Sequence, residues 1–495
     1  MTTASLMDPN SIETIPGDVS PELAAFIYGY PLVMTGITQQ TVINKSQSDT
    51  SGAAPLNQFG KQTQFPDSSF NAVVLPSTST LYTSAFLNLS QEPMILSLPD
   101  FADRFFLMQI FDAWSNVYRK SPGTRLESPK GDYVIVGPDD TTDLSSIDPD
   151  FVIRLKTASA WIIGRIYSSG TTDDLNEVRR DIYPHLRLRP WNKLNNSHYV
   201  PPQNLPTDPM VDMDNAPTIQ LKNMDACSFF GKLAAMMNLN PPAKEDAVMV
   251  KILEDLGFVF YKGTVTFDYS ILNETQTQAL QDGTAQGQAL LEDPPGTIPL
   301  VNYWQYTTDE KLGHYNIHYL YRAIIARKAF GANQVEDCVY GYSTLDSNGD
   351  SLSGKYNYQL TLDPIPPSSE KAFWSVTIYK ANGTLVYNQD AVYNNLSYNA
   401  IGYPVIQGHA ATLEDTDEGG QKISLYLSST CPDDETSTEF KNWLPLPAAT
   451  SDDPDPGFIV FLRMYMPGET VINGDWIPAG IKLSSHTKPF GVGPP

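Results

Sequence analysis

The sequence predicts a β-rich α+β protein, with a β-rich region on either side of a helical middle. Three observations point there. Proline, glycine and tyrosine are plentiful, at 39, 32 and 26 of 495 residues, which suits short strands and tight turns better than helical bundles. Short apolar runs bounded by Pro, Gly, Asp or Ser occupy both ends of the chain. Segments with helical apolar spacing are gathered between them. With 41% hydrophobic and 18% charged residues the chain has material for a sizeable core, so wholesale disorder is excluded. At roughly 100–200 residues per domain, two or three domains are expected.

Residues 1–20 read as a polar arm with no signal-peptide pattern. Residues 21–200 form the expected N-terminal β-rich domain. It opens with a helix over Pro21–Gln40, which Ser20 can cap and which Pro31 should kink or end. Strands are expected at Ala72–Leu75, Met94–Leu98, Phe105–Phe111, Tyr133–Val136 and Trp161–Tyr167, then a short helix over Asp173–Tyr183. Residues 201–330 are the loop and helical middle. A Pro- and Asn-rich stretch over Pro190–Pro217 leads into helices at Asp225–Leu239, Lys244–Gly257, Glu274–Glu292 and Asn316–Phe330. Gly283 and Gly287 weaken the third helix, and Gly331 closes the last. Residues 331–495 return to β structure. Phe373–Tyr379 and Thr384–Asn388 flank the hairpin signal Asn382-Gly383, with further strands at Ile423–Leu427 and Phe458–Tyr465.

Charge excludes some functions. Lys plus Arg is 32 and Asp plus Glu is 56, a net charge of −24 (32 − 56). Such a chain repels phosphate backbones and anionic bilayers, so no nucleic-acid or membrane partner is expected. No apolar run nears the roughly 18 residues needed to span a bilayer. Cys227, Cys338 and Cys431 are odd in number and widely spaced, which reads as reduced thiols in a cytoplasmic protein. The chain has no glycine-rich dinucleotide fingerprint, phosphate loop, nucleophile elbow or His-Glu-x-x-His. No nucleotide cofactor is therefore expected, and none of any other kind is called.

Two blocks carry a family resemblance. The first runs Phe65-Pro66, Val74-Leu75-Pro76-Ser77-Thr78-Ser79-Thr80-Leu81-Tyr82, Asn88-Leu89, Glu92-Pro93, Asp103-Arg104-Phe105, Asp112 and Gly123-Thr124-Arg125. The second runs Ala372-Phe373-Trp374-Ser375-Val376-Thr377-Ile378-Tyr379, Asn442-Trp443-Leu444-Pro445-Leu446-Pro447 and Arg463-Met464-Tyr465-Met466-Pro467. Together they resemble the two-part family of domains of unknown function "twelve fifty-four" (N-terminal) and "twelve fourteen" (C-terminal), over about Pro21 to Pro478. The resemblance implies two β-sandwich (jelly-roll-like) domains with helices between and around them, assembled as a homo-oligomer. It hands over no reaction. The family's first motif reads proline-asparagine-x-aspartate-threonine-leucine-tyrosine with a later aspartate-leucine. Here those polar positions are Ser77, Ser79 and Asn88, so two carboxylates of the pattern are neutral.

Several residue sets could carry chemistry, each beside a plainer reading. His314 and His318 are four apart at a helix start. They are a packed or surface pair or a proton-transfer pair, and with no further ligand set signalled no metal site is called. Asp346, Asn348 and Asp350 resemble the start of a calcium loop, but Ser351 and Asn357 break the pattern, leaving a turn. Asp112, Arg104, Arg125 and Arg165 sit in or beside apolar strands. They form ion pairs organising the first domain, or an arginine clamp for a carboxylate or enol oxygen. Tyr82, Trp114, Trp374, Tyr379, Trp443 and Tyr465 are core, or they line an aromatic pocket between the β domains.

The expectation is an enzyme acting on a small, mostly apolar organic metabolite, of isomerase, cyclase or lyase type, in small-molecule and secondary metabolism. Asp112, paired with Arg125, is the expected proton acceptor. Ser77, Ser79, Tyr82, Asn88, Trp114, Arg165, Trp374 and Trp443 are the expected substrate contacts. The alternatives are a non-catalytic binding protein for a hydrophobic metabolite or carbohydrate, and a hydrolase with an unfamiliar site.

Overall fold

The computed structural model describes residues 19–66, 68, 75–196, 198–294, 300–386, 395–399, 403–405, 412–416 and 419–484. It is a mixed α+β architecture with several largely antiparallel sheets.

The first helix spans Pro21–Ile43, with Ser20 Oγ accepting from Leu23 N at 3.2 Å. The expected interruption at Pro31 does not occur. Residues Leu23 to Thr38 are buried on all sides, so packing supports the turn that lacks a proline N–H, and Thr35 Oγ1 donates back to the Pro31 carbonyl at 2.9 Å. The helix shares one core with Ala226–Met237, Ala247–Asp255, Glu274–Glu292 and Tyr319–Lys328. Gly283 and Gly287 are what let Glu274–Glu292 approach. A Cβ at Gly287 would lie 2.1 Å from Phe26 Cδ1, and one at Gly283 2.5 Å from Glu22 Cβ.

The N-terminal β region holds two four-stranded sheets. One orders Gly60–Lys61, Thr80–Asn88, Ser159–Tyr167 and Phe106–Asp112; the other orders Val152–Arg154, Gly131–Val136, Met94–Leu98 and Arg187–Pro190. Leu81, Met108 and Ile162 of the first share a core with Leu96, Ile135 and Leu188 of the second. The expected strand Ala72–Leu75 lies outside the described residues apart from Leu75.

The C-terminal region has a seven-stranded sheet ordered Leu300–Val301, Trp304–Tyr306, Cys338–Ser343, Phe458–Pro467, Ser368–Lys380, Asn395–Asn399 and Tyr403–Val405. Its core is shared with Tyr358–Leu362 and Gln421–Ser428 of a five-stranded sheet. The Asn382-Gly383 turn forms, with Gly383 at φ +82° and Lys380 N donating to Thr384 O at 2.8 Å. Among the described residues the returning chain pairs at Tyr379 and Leu385. The long partners of Ser368–Lys380 are instead Phe458–Pro467 and Asn395–Asn399. Residues 387 and 388 of the expected return strand are outside the described residues. Asp346 forms a turn, its Oδ1 accepting from the backbone N of Asn348 and Asp350. Among the described residues no helix is long and apolar enough to cross a membrane.

Candidate functional site

Alternate residues of a strand point to opposite faces, and here that alternation builds a polar and aromatic seam. On Ser159–Tyr167, Ile162 and Ile166 enter the N-terminal core, and Arg165 and Tyr167 face away from it. On Ser368–Lys380, Trp374, Val376 and Ile378 enter the C-terminal core, leaving Phe373, Ser375, Thr377 and Tyr379 outward. On Phe458–Pro467, Leu462 and Met464 go inward, leaving Phe461, Arg463 and Tyr465 outward. The two outward faces meet. Tyr167 and Phe373 have ring centroids 4.6 Å apart, and Phe105 lies 5.3 Å from both Phe373 and Tyr465. Ser79 Oγ is 3.3 Å from Ser375 Oγ, and Tyr379 OH donates to Pro76 O at 2.6 Å.

Each side supplies a buried guanidinium, Arg165 at 5% and Arg463 at 4% exposure. Arg165 donates to Gln109 Oε1 at 3.0 Å and Gly331 O at 3.1 Å, and its Nε has no partner among the described residues. Arg463 donates to Leu75 O at 2.8 Å and, at 3.4 Å, to Thr377 Oγ1. Its charge lies 4.2 Å from the Phe461 ring centroid, as that of Arg165 lies 5.4 Å from Tyr82. Among the described residues neither is in a salt bridge. Uncompensated buried ions cost several kcal/mol each, and among the described residues no carboxylate offsets these two charges.

The same three tyrosines, Tyr82, Tyr340 and Tyr465, interact electrostatically with both guanidiniums. Burial keeps the Tyr465 phenol well above its usual range, over the opposing pull of Arg463 and Arg165. Its hydroxyl is buried without a hydrogen-bond partner among the described residues, and so is Asn333 Nδ2, whose Oδ1 accepts from Tyr340 OH at 2.7 Å. Burial pushes the Cys338 thiol up to about 12, so it is protonated at neutral pH and a poor nucleophile. A neutral phenol donor beside two fixed cations can stabilise a developing oxyanion.

The structure brings Ser77, Ser79, Tyr82 and Arg165 to the seam and places the other expected residues elsewhere. Arg125, on the 3-10 turn Thr124–Leu126, pairs with Asp337 Oδ1 at 2.5 Å and not with Asp112. Asp112 instead accepts from Asn116 N and Nδ2, both at 2.9 Å. Burial raises its carboxyl pKa, against the Asn116 bonds and the charge of Arg322. Trp114 belongs to the same neighbourhood. Its ring, with Tyr28 and Tyr319, surrounds the Arg322 guanidinium at 5.4–5.7 Å. Asn88 Oδ1 accepts from Ser90 N at the far end of its strand. Trp374 and Trp443 fill the C-terminal core. Arg104 is a structural ion pair with Asp174 at 2.7 Å and Glu177 at 2.9 Å. His314 Nε2 meets Gln334 Oε1 at 2.7 Å, and burial lowers its pKa. Among the described residues no three His, Cys, Asp or Glu side chains are grouped to hold a metal.

Arg463, Ser375, Tyr340 and Asn333 were not expected as site residues. A signal for two of them is the alternation itself: Arg463 between Leu462 and Met464, and Ser375 between Trp374 and Val376, are polar residues on the second face of otherwise apolar strands. Nothing local marks Asn333.

Two family models match the chain. Residues 56–190 match "Protein of unknown function (DUF1254)" and residues 337–469 match "Protein of unknown function (DUF1214)". No curated protein matches. The crystal structure of the VPA0106 protein from Vibrio parahaemolyticus is similar over 94% of this chain and 99% of its own, with a TM-score of 0.66 and 18% identity, which shows a common fold. An uncharacterized protein from Burkholderia cenocepacia aligns over 93% of this chain and 87% of its own, with a TM-score of 0.40 and 11% identity.

Proposed function

Since the chain belongs to the two-part family joining DUF1254 to DUF1214, with Arg165 in the first matched segment and Arg463 in the second, we propose that it is an enzyme working at the seam between them. Its substrate is a small, mostly apolar organic molecule carrying a carboxylate or an enolisable carbonyl. Its reaction is an isomerisation, cyclisation or elimination without a nucleotide cofactor. The observation supporting this is the pair of buried guanidiniums with no carboxylate partner among the described residues, beside an unpartnered Tyr465 hydroxyl. Arg165 and Arg463 take the anionic or enolate oxygen, and Tyr465 donates to it as charge develops. Phe105, Tyr167 and Phe373 provide the apolar wall. In this reading the two β regions are jelly-roll-like sandwiches whose outer faces enclose the substrate.

The test is incubation of the purified chain with a small-molecule extract rich in organic acids, followed by mass spectrometry. Wild type should convert at least one component to a product of equal mass, or of mass lower by an eliminated small molecule. Arg463→Met and Tyr465→Phe should each lose that conversion while remaining folded. Unchanged extracts, or equal conversion by both variants, reject the proposal. Uptake of labelled water oxygen into the product identifies a hydrolase instead.

A further inference from the structure

Away from the seam, a cleft of about 770 Å³ opens on the N-terminal β region. That volume is in the range of ordinary small-molecule sites. Phe59, Tyr183, Leu186 and Leu188 give it a buried apolar wall. One amine stands in that wall. Lys61 lines the cleft and is partly exposed, so a solute in the cleft can reach it.

Backbone on two sides holds the Lys61 nitrogen in place. Its strand, Gly60–Lys61, pairs with Thr83 and Ser84 at the sheet edge. Its Nζ donates to Tyr183 O at 2.6 Å and Leu186 O at 2.7 Å, just before the strand Arg187–Pro190. The Tyr183 hydroxyl in turn donates to the carbonyl of Gln62, the next residue after the lysine. Tyr183 and Leu186 both line the cleft. Among the described residues no carboxylate pairs with Lys61. An ammonium has three donors, and the two carbonyls take only two. A neutral amine has two N–H groups and a lone pair, so the same two carbonyls satisfy it and leave the lone pair free. Desolvation without a counter-ion disfavours the charged form. It brings this group down to about 8, with the charge of Arg187 acting in the same direction.

We propose that Lys61 is a nucleophile that captures the carbonyl carbon of a small apolar aldehyde or ketone as an imine, at a site independent of the seam. The nitrogen lone pair forms the new C–N bond as the carbonyl π pair moves to oxygen. Both amine hydrogens then leave with that oxygen as water, so the step needs no oxidant or reductant. The apolar body of the carbonyl compound lies on Phe59 and Leu188.

The test is incubation of the full chain at about pH 8 with hexanal and sodium cyanoborohydride, which reduces an imine to a stable secondary amine, followed by peptide mapping by mass spectrometry. A surface lysine, with a pKa of roughly 10.4, is under about 1% free amine at that pH. Lys61 should therefore acquire a hexyl group at least about tenfold faster than Lys130 and Lys156, whose side chains are 69% and 76% exposed. The map reads wild type directly, so it needs no variant to fold. Lys61→Arg, which keeps a cation on the two carbonyls, should lose the fast labelling and keep the slow labelling elsewhere. Labelling of Lys61 no faster than that of Lys130 and Lys156, or fast labelling that persists in Lys61→Arg, overturns the proposal.

Discussion

The hydroxyls of Ser79 and Ser375 lie 3.3 Å apart, 296 positions distant in the chain, and join the two β regions at the heart of the seam. Ser375 is also the cross-strand neighbour of Arg463. The small neutral side chain at 79 therefore touches the cross-strand neighbour of a guanidinium that pairs with no carboxylate among the described residues.

Ser79→Asp should supply one. The new carboxylate gains a charge-assisted partner in Arg463, and we expect the melting temperature to rise by about 1–2 °C, equivalent to about 1–2 kcal/mol for a chain of this length. Its pKa should be depressed on folding, so the gain is present above roughly pH 4 and disappears as pH falls through the depressed value. Any ligand the seam binds through Arg463 should be displaced. Calorimetric melting at pH 7 and pH 3 checks the sign; a lower melting temperature at pH 7 contradicts the placement.

Asp337 ties Arg125 and Gln334 together, at 2.5 and 2.6 Å, with its own side chain 3% exposed. Asp337→Ala should cost toward the lower end of the roughly 3–5 kcal/mol seen for broken buried pairs, because Arg125 keeps partial access to water. Arg125→Met in the same chain should recover part of that loss. A double-mutant cycle by urea unfolding measures the coupling, and additive effects would mean the pair does not brace the seam.

Gly287→Ala should destabilise the helical layer by about 1–3 kcal/mol through the clash with Phe26, despite alanine's helix preference of about 1 kcal/mol. Gly231, whose added Cβ would meet nothing within 4 Å, is the control: Gly231→Ala should be neutral or stabilising. Equal unfolding midpoints for the two variants would show that the helices do not meet as closely as described.

Lys61 should leave a signature in the pH dependence of stability. Its folded pKa of about 8 lies below the unfolded value of roughly 10.4. Between those values the unfolded chain holds a proton that the folded chain has released, so this group's contribution rises with pH across the window. Below it both states are charged and the buried ammonium is a constant cost. Wild type should therefore gain stability relative to Lys61→Met from pH 8 to pH 10. A flat difference across that range would place the ammonium in water.

Much of the fold was legible in local pattern. Glu274–Glu292 runs between the residues its spacing indicated, capped by Asn273 and Gln276, and Met94–Leu98 does likewise, because caps and alternation act over a few residues. The exceptions have a common cause. Pro31 stays helical because its helix is buried from Leu23 to Thr38 and shares its core with four other helices. The turn at Asn382 forms as its dipeptide indicates, while the long pairings of Ser368–Lys380 among the described residues run to Phe458–Pro467 and Asn395–Asn399, segments that no local turn signal names.

The site divides in the same way. Which residue types face away from each core follows from strand period, and so Arg165 and Tyr82 could be named from their own strands. That Arg165 shares its tyrosines with Arg463, that Arg125 meets Asp337, and that Asp112 lies near Arg322 are contacts between segments far apart in the chain. No local spacing encodes them: burial of two apolar sheet faces dictates how the strands stack, and the polar residues on the reverse faces acquire their neighbours as a consequence.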